Sequence, residues 1–152
     1  MALDDDIRRL ARIPLFAELD QDALRLIAFS AEARILRAGD VVYRAGDASD
    51  AGYFVMSGSI ALEPTEGEHG KRTIGRDALL GEVALLVESK RSATATAREP
   101  TTVLKISRQL FHRVLQESPA SAARLRNMMA ARLIAFAHEL ESVRGFKPNP
   151  LA

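Results

Sequence analysis

A glycine, a short helical run and an arginine follow one another closely in the middle of this sequence. The run Gly81-Glu82-Val83-Ala84-Leu85-Leu86 is a glycine followed by good helix formers, and Arg91 comes ten residues after the glycine. A glycine lets another group approach the backbone closely, and the first amides of a helix point outwards without an intrahelical partner. An arginine offers a planar fork of donors. The spacing therefore predicts a site for an anion.

Glu82 adds a second kind of contact to this predicted site. A carboxylate in the first turn of a helix is stabilised by the helix dipole, and it can also accept hydrogen bonds from a diol such as a ribose. An anion beside a hydroxyl group, in apolar surroundings, is the chemistry of a nucleotide sugar-phosphate. The other interpretation of Glu82 and Arg91 is a structural ion pair on the protein surface.

The chain divides into helical, β-rich and helical zones, which must position these residues. Residues 4–29 have helical periodicity, residues 32–107 contain short β-rich runs separated by glycine and aspartate, and residues 108–144 are helical again. Short strands with regular turn signals favour a sandwich or barrel over βαβ units. The predicted strands are 33–36, 41–43, 53–56, 59–62, 72–74, 92–97 and 101–106, with the run after Gly81 inserted as a short helix.

Capping residues predict where the flanking helices begin. Asp20 is an expected N-cap in the first zone, and Ser107 is one for a helix over 108–116. Ser118-Pro119 then starts a helix that extends to about Arg144, because proline is favoured at the first helical position. The apolar stripe on this last helix, interrupted by one arginine, consists of Leu125, Met129, Arg132, Phe136, Leu140 and Val143. Such a stripe is suited either to packing over a pocket as a lid or to forming a dimer interface.

Composition excludes several classes of function. The 152 residues carry a net charge of +1, which gives no electrostatic reason to expect DNA or membrane binding. There is no cysteine, no signal peptide and no apolar stretch long enough to span a bilayer, so we expect a cytoplasmic protein. The histidines, at 69, 112 and 138, fall in separate elements, which disfavours a cupin-like metal enzyme. We expect no catalysis, no metal and no cofactor.

The stretch from Leu80 to Ala95 resembles the phosphate-binding cassette of the cyclic nucleotide-binding domain family. That cassette has the pattern Gly-Glu-x-Ala-Leu followed by Arg-(Ala/Ser/Thr)-Ala-Thr, and here the second part is Arg91-Ser92-Ala93-Thr94. The segments 46–60 and 13–19 also resemble the family. The resemblance implies an α+β, mainly β fold: a jelly-roll β-roll with an N-terminal helical segment and two C-terminal helices. The domain would span 1–144, with a tail at 145–152.

The resemblance also implies roles for the cassette residues. Gly81 and the amides of Glu82, Val83 and Ala84 would hold a cyclic phosphate. Arg91 would pair with the phosphate oxygens, and the Glu82 carboxylate would accept from the ribose 2′-hydroxyl.

The resemblance also implies ligand contacts for two further residues, each of which has an alternative interpretation. Ser92 would add a hydroxyl contact to phosphate or base, or would be an ordinary strand residue. Arg132 would pack against the purine from the last helix, or would extend its side chain along a helix or dimer contact. The sequence departs from the family at Asp77, where a turn glycine is common, and at Leu79-Leu80, which replace the usual aromatic residue.

The resemblance implies that the protein is a stand-alone sensor for a cyclic nucleotide, with cyclic AMP favoured over cyclic GMP as the ligand. Ligand binding would draw the last helix over the pocket. Only about eight residues follow that helix, so we expect the signal to pass to a separate protein partner or through a homodimer. The alternative is an interaction module that keeps the fold and works without nucleotide.

Overall fold

The computed structural model describes residues 2–65 and 70–142, and it begins with a helical segment. The helices are α1 (Ala2–Leu10), α2 (Pro14–Ala17) and α3 (Gln21–Ser30). The side chain of Asp20 accepts a hydrogen bond from the amide of Ala23, so the predicted N-cap of α3 is confirmed. This bond and one from Ser118 hold the pKa of the Asp20 carboxyl below its ordinary value.

Two four-stranded antiparallel sheets form the centre of the molecule, which confirms the predicted β-roll. The strands are β1 (Glu32–Leu36), β2 (Val41–Tyr43), β3 (Ala51–Ser57), β4 (Ile60–Pro64), β5 (Arg72–Ile74), β6 (Leu79–Leu80), β7 (Ala93–Ala97) and β8 (Thr101–Ser107). Their order is β1-β8-β3-β6 in one sheet and β2-β7-β4-β5 in the other. The insertion after Gly81 is α4 (Glu82–Leu86), as the sequence indicated.

Strand β3 lies between two hydrophobic clusters and contributes to both. Tyr53 and Val55 belong to the cluster between the sheets, together with Ile60 of β4. Phe54 points the other way and joins the helical cluster around Phe111. Because successive side chains of a strand alternate between its faces, both faces of β3 are covered. The cassette begins in β6, and β6 pairs with β3. The cassette is thus attached to a buried strand.

The C-terminal helices are α5 (Arg108–Glu117) and α6 (Pro119–Ser142). The hydroxyl of Ser107 accepts from the Leu110 amide, which confirms the predicted cap of α5. Helix α6 begins at Pro119, directly after Ser118, as predicted, and the Ser118 carbonyl accepts from the Ala122 amide. The hydroxyl of Ser118 donates to the carboxylate of Asp20, at 2.8 Å, and so joins the start of α6 to the start of α3.

The buried side chains of α6 lie in its first part. Leu125 is buried and Met129 is partly buried against the helical cluster, whereas residues 130–139 are exposed. Phe136, which we grouped in the same apolar stripe, is 55% exposed. Val143, Arg144 and the tail at 145–152 lie outside the described residues, as does His69.

None of the helices in the described ranges is both long enough and apolar enough to cross a membrane. Within the same ranges, no three side chains of the metal-binding types come together as a cation site.

Candidate functional site

A cavity of about 590 Å³ opens between the sheet β2-β7-β4-β5 and the cassette. This volume is within the usual range for small-molecule sites. The predicted site residues that line it are Gly81, Glu82, Val83, Ala84, Arg91 and Ser92. Tyr43, Leu62, Ile74 and Leu80 supply apolar surface from the strands. The fold therefore brings the cassette residues around one hollow.

Gly81 and Arg91 lie directly against each other. Gly81 has φ +77°, in the left-handed region that favours glycine, at the turn from β6 into α4. A methyl group in place of its hydrogen would lie 2.5 Å from Nη1 of Arg91. The glycine thus provides both the turn and the space for the guanidinium.

Arg91 is a buried cation, and none of the carboxylates in the described ranges balances its charge. The residue is 8% exposed, and its Nη2 donates to the carbonyl of Ala51 at 2.6 Å. Across residues 2–65 and 70–142, no carboxylate forms an ion pair with it. Burying an unpaired charge is unfavourable, and an anion in the cavity would offset that cost.

The first turn of α4 supplies amides at the same place. The amides of Glu82 and Val83 have no acceptor within the helix, because they belong to its first turn. The amide of Ala84, which we expected to contact the anion, already donates to the carbonyl of Gly81 at 3.0 Å. Glu82 and Val83 are therefore the α4 amides left to face an anion beside Arg91.

Glu82 pairs with Arg132 and not with Arg91. Nη1 of Arg132 lies 3.0 Å from Oε1 of Glu82, with the two side chains 45% and 37% exposed. Arg132 approaches the cassette from α6 but does not line the cavity. Because exposed ion pairs contribute little to stability, this contact can exchange readily with other partners.

Ser92 follows Arg91 immediately and is exposed at the cavity. The loop that leads to it is held in place by backbone pairing: the Arg91 amide donates to the carbonyl of Asp47, and the Gly46 amide donates to the carbonyl of Arg91. The position of Arg91 is thus fixed at its backbone as well as at its side chain.

Two side chains of α5 contact the C-terminal end of α4, and the sequence did not reveal these contacts. Nη1 of Arg108 donates to the carbonyls of Ala84 and Val87, at 3.0 and 3.3 Å, and Nε2 of His112 lies 3.2 Å from the carbonyl of Leu86. A cation near the last carbonyls of a helix is favourable. The end of α4 is therefore fixed against α5.

Asp77, the departure from the family pattern, occupies the turn in front of β6. It has φ +68°, so it adopts the left-handed conformation that a glycine would adopt there. Its carboxylate accepts from Nε of Arg9 at 2.6 Å, and Nη2 of Arg9 donates to the carbonyl of Met56. This buried arginine of α1 therefore stabilises the unusual turn. Leu79 and Leu80 form β6, paired with Phe54 and Tyr53.

Two tyrosines flank Arg91, and neither was predicted to lie beside it. The Arg91 guanidinium carbon lies 4.1 Å from the ring centroid of Tyr43 and 5.8 Å from that of Tyr53. Burial raises the pKa of both phenols above the ordinary value of 10.0. Both rings are therefore neutral at neutral pH and do not balance the arginine's charge.

The part of the chain that contains these features matches a known protein family. Residues 33–118, more than half of the chain, match the profile described as "Cyclic nucleotide-binding domain". The chain belongs to the cyclic nucleotide-binding domain family. The predicted resemblance is confirmed, and the buried arginine, Gly81 and the start of α4 fall within the matched residues.

Two solved structures and one curated protein illustrate the relationship. A cyclic nucleotide-binding-like protein from Brucella abortus is 41% identical, with a TM-score of 0.67, covering 74% of this chain and 98% of that one. The N-terminal domain of a transcriptional regulator from Streptomyces coelicolor is 27% identical, with a TM-score of 0.80, covering 91% and 99%. The lysophospholipase nte1 of Neurospora crassa is 33% identical over 81% of this chain, but the chain spans only 8% of its length.

Proposed function

We propose that this chain is a cytoplasmic regulatory sensor that binds a cyclic nucleoside monophosphate, without catalysing a reaction on it. The observation that supports this most strongly is Arg91, a buried cation with no carboxylate partner in the described residues, beside Gly81 on a cavity of about 590 Å³. A cyclic phosphate carries one negative charge, which would balance the guanidinium, and its exocyclic oxygens would also accept from the Glu82 and Val83 amides.

Cyclic AMP is the preferred candidate, with cyclic GMP as the second. Ser92 is intermediate between the alanine common in cyclic AMP sites of this family and the threonine common in cyclic GMP sites, so the preference is mild. Apolar side chains of the strands, such as Leu62 and Ile74, offer a surface on which a base can pack.

Calorimetric titration of the whole chain tests the proposal. We expect one molecule of cyclic AMP or cyclic GMP to bind per chain, and 5′-AMP, which lacks the cyclic diester, to bind more weakly. If neither cyclic nucleotide binds, the chain is better explained as a nucleotide-independent interaction module with the same fold.

Replacing Glu82 with alanine tests the ribose contact. We expect the affinity for cyclic AMP to fall by about 2- to 13-fold, the effect of one net hydrogen bond, because the ribose hydroxyl replaces the existing contact of the Glu82 carboxylate with Arg132. The affinity for 2′-deoxy cyclic AMP should change little, so the ratio between the two ligands should move towards one. Glu88→Ala, at an exposed glutamate of the following loop, is the matched control and should leave the ratio unchanged. An undiminished ratio in Glu82→Ala would contradict the ribose assignment.

We place the signalling step at α6. Arg132 already reaches Glu82 across an exposed ion pair, so a nucleotide whose ribose engages Glu82 would release Arg132 towards the base. A ligand can shift this helix only through a difference in affinity between its two arrangements. Amide hydrogen exchange with and without cyclic AMP measures the shift. Slower exchange at residues 130–142 is expected, and unchanged exchange under saturating ligand would contradict it.

The exposed part of α6 is also the proposed surface for a protein partner or a second copy of the chain. Leu133, Ile134 and Phe136 are 68%, 59% and 55% exposed, which is unusual for large apolar side chains close together. Sedimentation velocity, with and without nucleotide, distinguishes self-association from a surface that needs a different protein.

A further inference from the structure

Tyr43 presents the face of its ring to the cation of the proposed anion site. The Arg91 guanidinium carbon lies 4.1 Å from the Tyr43 ring centroid, well within the range of a cation–π contact. The second ring, that of Tyr53, is 5.8 Å away, and the two rings are tilted by 39° to each other. Tyr43 belongs to β2, which pairs with the strand that follows Arg91.

The ring and a backbone carbonyl restrain the guanidinium in different directions. An aromatic face fixes the plane of a stacked guanidinium. The bond from Nη2 to the Ala51 carbonyl, at 2.6 Å, fixes its rotation within that plane. Nη1 is then directed to Gly81, where an added methyl would approach it to 2.5 Å. Protein groups alone thus hold the fork in one orientation.

We propose that Tyr43 is a positioning residue for nucleotide binding: its ring holds Arg91 in the orientation that receives the phosphate. This inference rests on the proposed function. A long side chain that must be ordered when a ligand binds weakens binding. By holding Arg91 in advance, the ring removes that cost.

Two substitutions separate the ring from its hydroxyl. Tyr43→Phe keeps the aromatic face, and we expect it to bind cyclic AMP as the wild type does. Tyr43→Leu keeps apolar bulk but loses the face, and its affinity should fall by about 2- to 13-fold, the cost of ordering one flexible side chain. Tyr43→Met provides the same comparison if the leucine variant does not fold, and thermal unfolding without nucleotide identifies the folded variants.

A nuclear magnetic resonance measurement distinguishes positioning from direct contact. In protein without nucleotide, the Arg91 Nε–H signal should show the ring-current displacement of a group above an aromatic face in the wild type and Tyr43→Phe. The displacement should disappear in Tyr43→Leu.

The outcomes that overturn the inference differ from those that overturn the proposed function. A folded Tyr43→Leu with wild-type affinity would refute a role for the ring. Lower affinity with an unmoved Arg91 signal would assign Tyr43 to direct nucleotide contact and refute positioning. If the wild type binds no cyclic nucleotide, the proposed function fails and with it the role in binding, whereas the Arg91 signal still tests the geometry.

Discussion

Replacing Arg91 with alanine should lower the affinity for cyclic AMP by about 30- to 5,000-fold, which corresponds to about 2 to 5 kcal/mol. The effect is large because the variant leaves the phosphate charge buried without its partner. Arg91 is 8% exposed and forms no ion pair within the described part of the chain, so no structural carboxylate competes for it. Arg91→Lys should recover part of the loss, because it restores the charge but not the planar fork.

Calorimetry on folded protein measures this loss, and Arg12→Ala is its matched control. Arg12 is an exposed arginine between α1 and α2, so its removal changes the net charge equally without touching the cavity. Thermal unfolding gives a second measurement, since a ligand that binds the folded state raises its stability. Wild-type affinity in Arg91→Ala would mean that the phosphate binds elsewhere.

Replacing Gly81 with alanine should lower the affinity by about 10- to 150-fold, the range for losing one charge-assisted hydrogen bond. The substitution has two physical effects, one on the stability of the fold and one on the position of Arg91. The left-handed φ of +77° costs a side chain about 1 to 2 kcal/mol in stability. In addition, the new methyl would lie 2.5 Å from Nη1 of Arg91, so the guanidinium must move away from the place where we expect the phosphate.

Gly39→Ala separates these two effects. Gly39 has φ +93°, and nothing lies within 4 Å of a methyl added there. We expect Gly39→Ala to lose stability in urea unfolding but to keep wild-type affinity for cyclic AMP. If both glycine variants lose affinity equally, the loss follows from backbone strain and not from displacement of Arg91.

Features encoded in short segments could be predicted from the sequence. The β-rich zone, the caps Asp20 and Ser107 and the cassette all depend on residues close together in the chain, where periodicity and spacing are informative. The two-residue strand β6 was missed because two residues show no periodicity. Thr101–Ser107 was predicted nearly to its ends because alternation over a longer strand is distinct.

Contacts between distant segments could not be predicted. Tyr43 is 48 positions from the arginine it stacks on, and the ion pair between Arg9 and Asp77 spans 68 positions. Arg108 caps α4 only because the fold returns α5 to the cassette. Arg132 was singled out as the one charge in an apolar stripe, but its contact with Glu82 depends on where α6 crosses the cassette. Contacts of this kind arise from tertiary packing, which leaves no recognisable pattern in a single sequence.

A crystal structure of the chain with cyclic AMP would show directly where the phosphate binds. We expect the cyclic phosphate between Arg91 and the turn at Gly81, with its oxygens within hydrogen-bond distance of the guanidinium and of the Glu82 or Val83 amide. A nucleotide bound with its phosphate away from Arg91, or a cavity without nucleotide at saturating concentration, would contradict it.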